Sequence, residues 1–251
     1  MKNLLFLVCL FSVAVKAEVF NYSSGSQKFE GQFYKSKSDK APAILVVHNW
    51  MGPTDETKKQ ALRFNNLGYN VFVADIYGSG IRPKNPEEAG KQASLYKKDR
   101  KLFRERIKIA YQEMLKQKSV NKDQTAILGY CFGGTAALEA ARSVSTLKTA
   151  ISFHGGLDSL NPSEGALIKS DVLVLHGADD PYVPAKDLEA FEKEMRDHKV
   201  NFELIKFSGA VHSFTDMAAG NDPSKGAAYN KYADEKSFFY AEKYLSKRLK
   251  F

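Results

Sequence analysis

The sequence predicts an α/β domain, a doubly wound and mostly parallel sheet with helices on both faces. Three observations predict it. Five short apolar runs, AILVVH (43–48), NVFVAD (70–75), TAILG (125–129), TAISFH (149–154) and DVLVLH (171–176), are continuous rather than alternating. That is the pattern of strands buried on both faces of a parallel sheet. Helical patterns stand between these runs, so strand and helix alternate along the chain. The 251 residues, 43% hydrophobic and 26% charged, suffice for one core covered on both sides, with no linker, repeat or low-complexity stretch to divide it.

Residues 1–17 read as a secretory signal peptide rather than as part of the fold. Lys2 precedes the apolar run LLFLVCLFSVAV, and VKA offers a cleavage site after Ala17. The run is short for a bilayer span and no later stretch reaches that length. The remaining domain, 18–251, is therefore expected free of the membrane, periplasmic or secreted, and monomeric. Loss of Lys2 and Lys16 lowers Lys+Arg from 37 to 35 against 29 Asp+Glu, so the net charge falls from +8 to +6. The excess is spread over mixed-sign segments such as YKKDRKLFRER and EKYLSKRLK, without the aromatic-basic ladder of a nucleic-acid surface. Cys9 leaves with the signal. Cys131 then has no partner for a disulfide within its own chain.

Past the signal, KFEGQFY alternates like an edge strand. DETKKQALRFNNLG follows the first long strand as a helix closed by Gly68. A long charged helical segment runs from Pro86 to about Lys118, and the part from Pro83 to Lys101 is placed to cover a pocket. GGTAALEAARSV and AKDLEAFEKEMRDHK are the next helices. NFELIKF is a last strand, followed by a Gly/Asn/Asp/Pro-rich loop and a closing helix from about Ala227 to Lys247. In such sheets the working residues sit just past the carboxyl ends of the strands.

Three strand ends carry chemistry. In GYCFGG, Gly129 and Gly133 flank Cys131 two residues to either side, the spacing of a nucleophile displayed on a tight strand-to-helix turn. The N–H of Phe132 and the following helix N-terminus favour negative charge there, and thiolate over thiol. In LHGADDPYVP, Asp180 is an acid able to orient an imidazole, with Asp179 as its competitor for a capping role. In SGAVHSFTD, His212 lies in a loop just after the last strand, where a catalytic base is carried. Asp180 comes 49 residues after Cys131 and His212 a further 32, the order nucleophile, acid, histidine. His198 is expected to be solvated in a charged helix, while His154 and His176 end strands and are expected to satisfy loop backbone. HNWMGPTDE opens the helix after the first long strand, and the backbone N–H of Trp50 is the expected second oxyanion donor, its ring being free to cap the core. There is no C-x-x-C, H-E-x-x-H or G-x-G-x-x-G opening the first helix, so neither metal nor cofactor is expected.

Together HNWMG, ADIYG, GYCFGG, FHGGL, LHGADDPYVP and HSFTD, in this order over nearly all of the mature chain, resemble the dienelactone hydrolases, a branch of the α/β-hydrolase fold with a Cys-His-Asp triad. The resemblance implies Cys131 as nucleophile, His212 as base, Asp180 as its orienting acid and the N–H groups of Trp50 and Phe132 as oxyanion hole. Two positions depart from it. Asn49 stands where the family carries a glutamate that meets the thiol, and Asp216 stands where an arginine holds the substrate carboxylate. The expected substrate is thus a small ester or lactone. The alternative reading is a secreted, non-catalytic ligand-binding or thiol redox protein on the same fold, which the lone thiol and Asn49 would suit.

Overall fold

The structure is a computed structural model that describes residues 17–251; of the signal-peptide reading, residues 1–16 lie outside the described residues. The apolar runs form the strands β3 (Ala41–Val47), β4 (Asn70–Ala74), β5 (Val120–Tyr130), β6 (Thr149–Phe153) and β7 (Asp171–Gly177), joined by β8 (Phe202–Phe207). All six are parallel, and β1 (Glu18–Ser24) and β2 (Gln27–Tyr34) add an antiparallel end. The order is β1-β2-β4-β3-β5-β6-β7-β8. The winding therefore reverses at β3, which lies between β4 and β5, and a crevice at such a switch point is where α/β sheets bind ligands.

The helices are α1 (Asp55–Asn65), α2 (Pro86–Lys98), α3 (Arg100–Leu115), α4 (Phe132–Ala141), α5 (Ala185–Asp197) and α6 (Lys231–Arg248). Each central strand sends alternate side chains into two separate cores. Ala43, Leu45 and Val47 of β3 pack with α3, α4 and α5, while Ile44 and Val46 pack with α1 and α6. Every residue of α4 is buried, which explains its run of glycine and alanine: a narrow helix must fit between the sheet and its neighbours. Just past it, Arg142 is only 1% exposed. It survives there because Glu194 and Glu139 pair with it, the condition for burying a charge at tolerable cost.

Four expectations change. KFEGQFY belongs to β2 but is not the edge, because β1 pairs along its whole length through a tight turn at Gly25 and takes the edge itself. The segment from Pro86 to Lys118 is two helices, not one. Asp99 breaks it with non-helical φ and ψ (−111° and 84°), and its carboxylate accepts the Leu102 N–H, starting α3 afresh. Gly68 lies beyond the cap of α1, which is Asn66, and uses its positive φ of 98° to turn the chain into β4. The last helix begins at Lys231, capped by Asn230, because short 3-10 turns at Met217–Ala219 and Pro223–Lys225 occupy the loop before it.

Candidate active site

The turn between β5 and α4 is forced by its glycines. A side chain on Gly129 would collide with the Gly133 carbonyl, and one on Gly133 with the carbonyls of Val47 and His48. The backbone of α4 thereby closes against β3, and Cys131 is left at φ 56°, a left-handed conformation that costs a non-glycine residue about 1–3 kcal/mol. Cys131 as a residue is partly buried at the carboxyl end of the sheet.

Two loops bring partners to it. His212 Nε2 lies 3.0 Å from Cys131 Sγ, and His212 Nδ1 lies 2.8 Å from Asp180 Oδ2. Asp180 also accepts the Tyr182 N–H on Oδ1, so both carboxylate oxygens are held. Asp179 is turned away and accepts the Gly209 N–H at an exposed position. The electrostatics follow from this geometry. Burial alone pushes the Cys131 thiol up, but His212, together with Lys97 and the Phe132 N–H, outweighs it and draws the thiol below its ordinary value. Burial likewise opposes charge on His212, but the thiolate and Asp180 push its pKa up to about 10. His212 is therefore cationic at neutral pH, and its charge favours thiolate over thiol on Cys131.

The oxyanion candidates sit on either side of the switch point. The Phe132 N–H points toward the cysteine sulfur. The Trp50 N–H has no hydrogen-bond partner among the described residues. Its loop is fixed by the Tyr77 hydroxyl, which donates to the Trp50 carbonyl at 2.8 Å. Trp50 does not cap the core: the residue is 37% exposed and belongs to neither core cluster.

Asn49 and Asp216 turn their polar atoms into local turns. The Asn49 side-chain oxygen accepts the Met51 N–H at 2.9 Å, and Asp216 accepts the Ala218 N–H at 2.9 Å, capping a 3-10 turn. Arg82, a cation near the same end of the sheet, is drawn into an ion pair with the buried Asp75. The segment Pro83–Lys101 does flank the site: Tyr96 of α2 stacks on Tyr77 and meets Phe132 edge-on.

Four more residues shape the site, and of these only His154 carries an expectation from the sequence. Tyr77 fixes the Trp50 loop, and Tyr182 sets its ring edge-on to His212 at 5.3 Å. His154 accepts the Cys131 N–H, and its other nitrogen meets Thr215. His48 packs face to face on Phe132, and burial lowers its pKa to about 4. His176 is buried with its Nδ1 unpartnered, so it satisfies no loop backbone through that atom. His198 meets the Pro162 carbonyl at the outer surface. Among the described residues no group of three or more His, Cys, Asp or Glu side chains is arranged to hold a metal, and no helix is long and apolar enough to cross a membrane.

Comparison with known proteins places this geometry. The family model for the dienelactone hydrolase family matches residues 29–248. The human carboxymethylenebutenolidase homolog is 26% identical over 190 residues, covering 72% of this chain and 73% of that protein. Two solved structures superpose with a TM-score of 0.89, each covering 94% of this chain and 99% of its own. One is titled m3DLH, at 30% identity, and the other a dienelactone hydrolase-like promiscuous phosphotriesterase from metagenomic libraries, at 31%. With its mostly parallel sheet of the α/β-hydrolase fold, the chain belongs to the dienelactone hydrolase family and is a carboxylic ester hydrolase.

Proposed function

We propose that the protein hydrolyses small ester or lactone substrates through an acyl-enzyme on Cys131, and that it does so in the periplasm or outside the cell after cleavage behind Ala17. The observation that carries the catalytic reading is the hydrogen-bonded series Cys131 Sγ, His212, Asp180, at 3.0 and 2.8 Å. The localisation rests on the sequence of residues 1–17 alone.

The thiolate attacks the carbonyl carbon, and the carbonyl π electrons move onto oxygen, which the N–H groups of Trp50 and Phe132 stabilise. The tetrahedral adduct collapses with loss of the alkoxide, and the His212 imidazolium gives that oxygen its Nε2 proton. Alcohol leaves, or in a lactone stays tethered. Neutral His212 then takes a proton from water as its oxygen attacks the thioester, and the second adduct expels thiolate. The acid departs and the ion pair is restored. Asp180 keeps the His212 proton on Nδ1 throughout, so that Nε2 faces the sulfur.

Arg82 is already paired with Asp75 and so is not free to hold a substrate carboxylate, which favours uncharged acyl groups. A thiol suits good alkoxide leaving groups, because thiolate is nucleophilic without a strong base, which matters where Asn49 replaces a carboxylate.

The test is turnover of p-nitrophenyl acetate and a small panel of lactones by the purified protein and by Cys131→Ala. Turnover is expected in the parent and loss of about 10⁴-fold or more in the variant. Full activity without the thiol would refute the nucleophile. A parent that is alkylated quickly by iodoacetamide yet hydrolyses nothing would favour the thiol-sensor alternative.

A further inference from the structure

His154 directly follows β6, which lies between β5 and β7, and is 2% exposed with φ 39°. Its ring joins two loops that strand pairing leaves independent. Nδ1 accepts the Cys131 backbone N–H at 3.2 Å, sharing it with the Phe153 carbonyl at 3.0 Å. Nε2 lies 2.9 Å from the Thr215 hydroxyl, three residues past His212 on the loop that carries it. Because a backbone N–H donates to Nδ1, the ring proton belongs on Nε2, and Nε2–H donates to Thr215. The ring also meets His212 edge-on at 5.3 Å and Phe214 edge-on at 4.9 Å.

We propose that His154 is a positioning residue: a neutral brace that sets the distance between the turn holding Cys131 and the loop holding His212. The inference rests on the reading of Cys131 and His212 given above. Three observations carry it. First, both ring nitrogens are used, one toward each loop, which a histidine serving only to fill space would not require. Second, a β-carbon residue held at φ 39° is strained, and the cheapest occupants of that conformation, glycine and asparagine, could not reach both ends. Third, the strain is maintained from outside: Gly155 and Gly134 pass so close that a side chain on Gly155 would strike the Ser152 hydroxyl and the Gly134 backbone.

Neutrality matters because the brace needs an acceptor at Nδ1. Burial first, and then the neighbouring His212, hold the His154 pKa well below the ordinary imidazole value, with His176 adding to the same effect. Tyr130 approaches the ring at 6.1 Å, and Thr215 and the Cys131 backbone complete the surroundings. The brace thus stays uncharged beside the imidazolium of His212. A misplacement of about 1 Å between reacting groups costs about 10²-fold in rate, so holding the separation to a hydrogen-bond length is a catalytic requirement.

The experiment compares His154→Asn, Thr215→Val and the double variant with the parent, each normalised to the thiol titrated by iodoacetamide. Asparagine tolerates positive φ and offers an oxygen to the Cys131 N–H, so this variant keeps the turn and cuts only the link to Thr215. The expected result is a fall in kcat of about tenfold to a hundredfold for p-nitrophenyl acetate in each single variant, with KM unchanged within about twofold. The double variant should be no slower than the worse single, since both cut one link. Parent-like kcat per titrated thiol in the singles would overturn the proposal, as would losses that multiply in the double. A loss confined to the titratable fraction or to the urea midpoint would also overturn it, since that is a purely structural role. Cys131→Ala run alongside separates the two readings: turnover surviving there defeats the nucleophile assignment whatever His154 does.

Discussion

Replacing His212 by alanine is expected to raise the Cys131 thiol, because the largest opposition to burial is removed and only Lys97 and the Phe132 N–H are left against it. At pH 7 the thiolate fraction should fall, and alkylation by iodoacetamide should slow with it, partly offset by the greater nucleophilicity of a more basic thiolate. Ester turnover loses its proton donor as well and should fall by about 10⁴-fold. The pH dependence has a definite sign. In the parent, activity is lost on the acid side as the thiolate takes a proton, and on the alkaline side as His212 gives up its proton near pH 10. In the variant, alkylation should rise monotonically with pH through and beyond the ordinary thiol range. An unchanged alkylation profile would mean that His212 does not set the ionisation of Cys131.

The second large effect concerns the backbone. Gly133→Ala should destabilise the protein by about 3 kcal/mol or more, since the new methyl would be driven into the Val47 and His48 carbonyls and main chain cannot swing aside. Gly90→Ala is the control. Gly90 has open space around it inside α2 and no positive φ, so alanine there should be neutral or stabilising by up to about 1 kcal/mol. Urea unfolding midpoints of both variants measure the difference. If Gly133→Ala unfolds with the parent, close packing of the turn against β3 is not what fixes Cys131 in place.

Much of the site was legible because its residues lie at strand ends. β3 to β7 announce themselves as continuous apolar runs, and Cys131, Asp180 and His212 stand just past three of the strands, in an order the structure converts into a hydrogen-bonded series. The misses have physical reasons. β1 is largely polar and half-exposed, so its sequence EVFNYSS lacks the apolar run that marks the inner strands. The break at Asp99 is a cap inside a continuous charged stretch, where helical periodicity on either side looks the same. Asn49 and Asp216 drew attention as substitutions, but side chains this short close turns on their own backbone before they reach a substrate. In the sequence His154 presents itself as a strand-end residue satisfying loop backbone. Half of that holds, for the backbone is that of Cys131 itself. The link to Thr215 spans 61 residues and has no local signature, though the pair of glycines following His154 marks a place where main chains approach closely.

The electrostatic account explains how Asn49 can stand where a carboxylate would otherwise meet the thiol. With His212 pushed up to about 10 and the thiol drawn down, His212 favours the thiolate without a second base. A second base beside the sulfur would add a negative charge next to a thiolate and destabilise it. On this account Asn49→Glu should raise the pH at which Cys131 is alkylated rather than lower it.

The central claim is that Cys131 carries the acyl group. The direct measurement is to mix the enzyme with a p-nitrophenyl ester, quench in acid within the first turnover and map the adduct by mass spectrometry of proteolytic peptides. One acyl group per active thiol is expected, on the peptide containing Cys131 and removable by hydroxylamine as a thioester is. An acyl group on another residue, or a burst of p-nitrophenol with Cys131 unmodified, would contradict it.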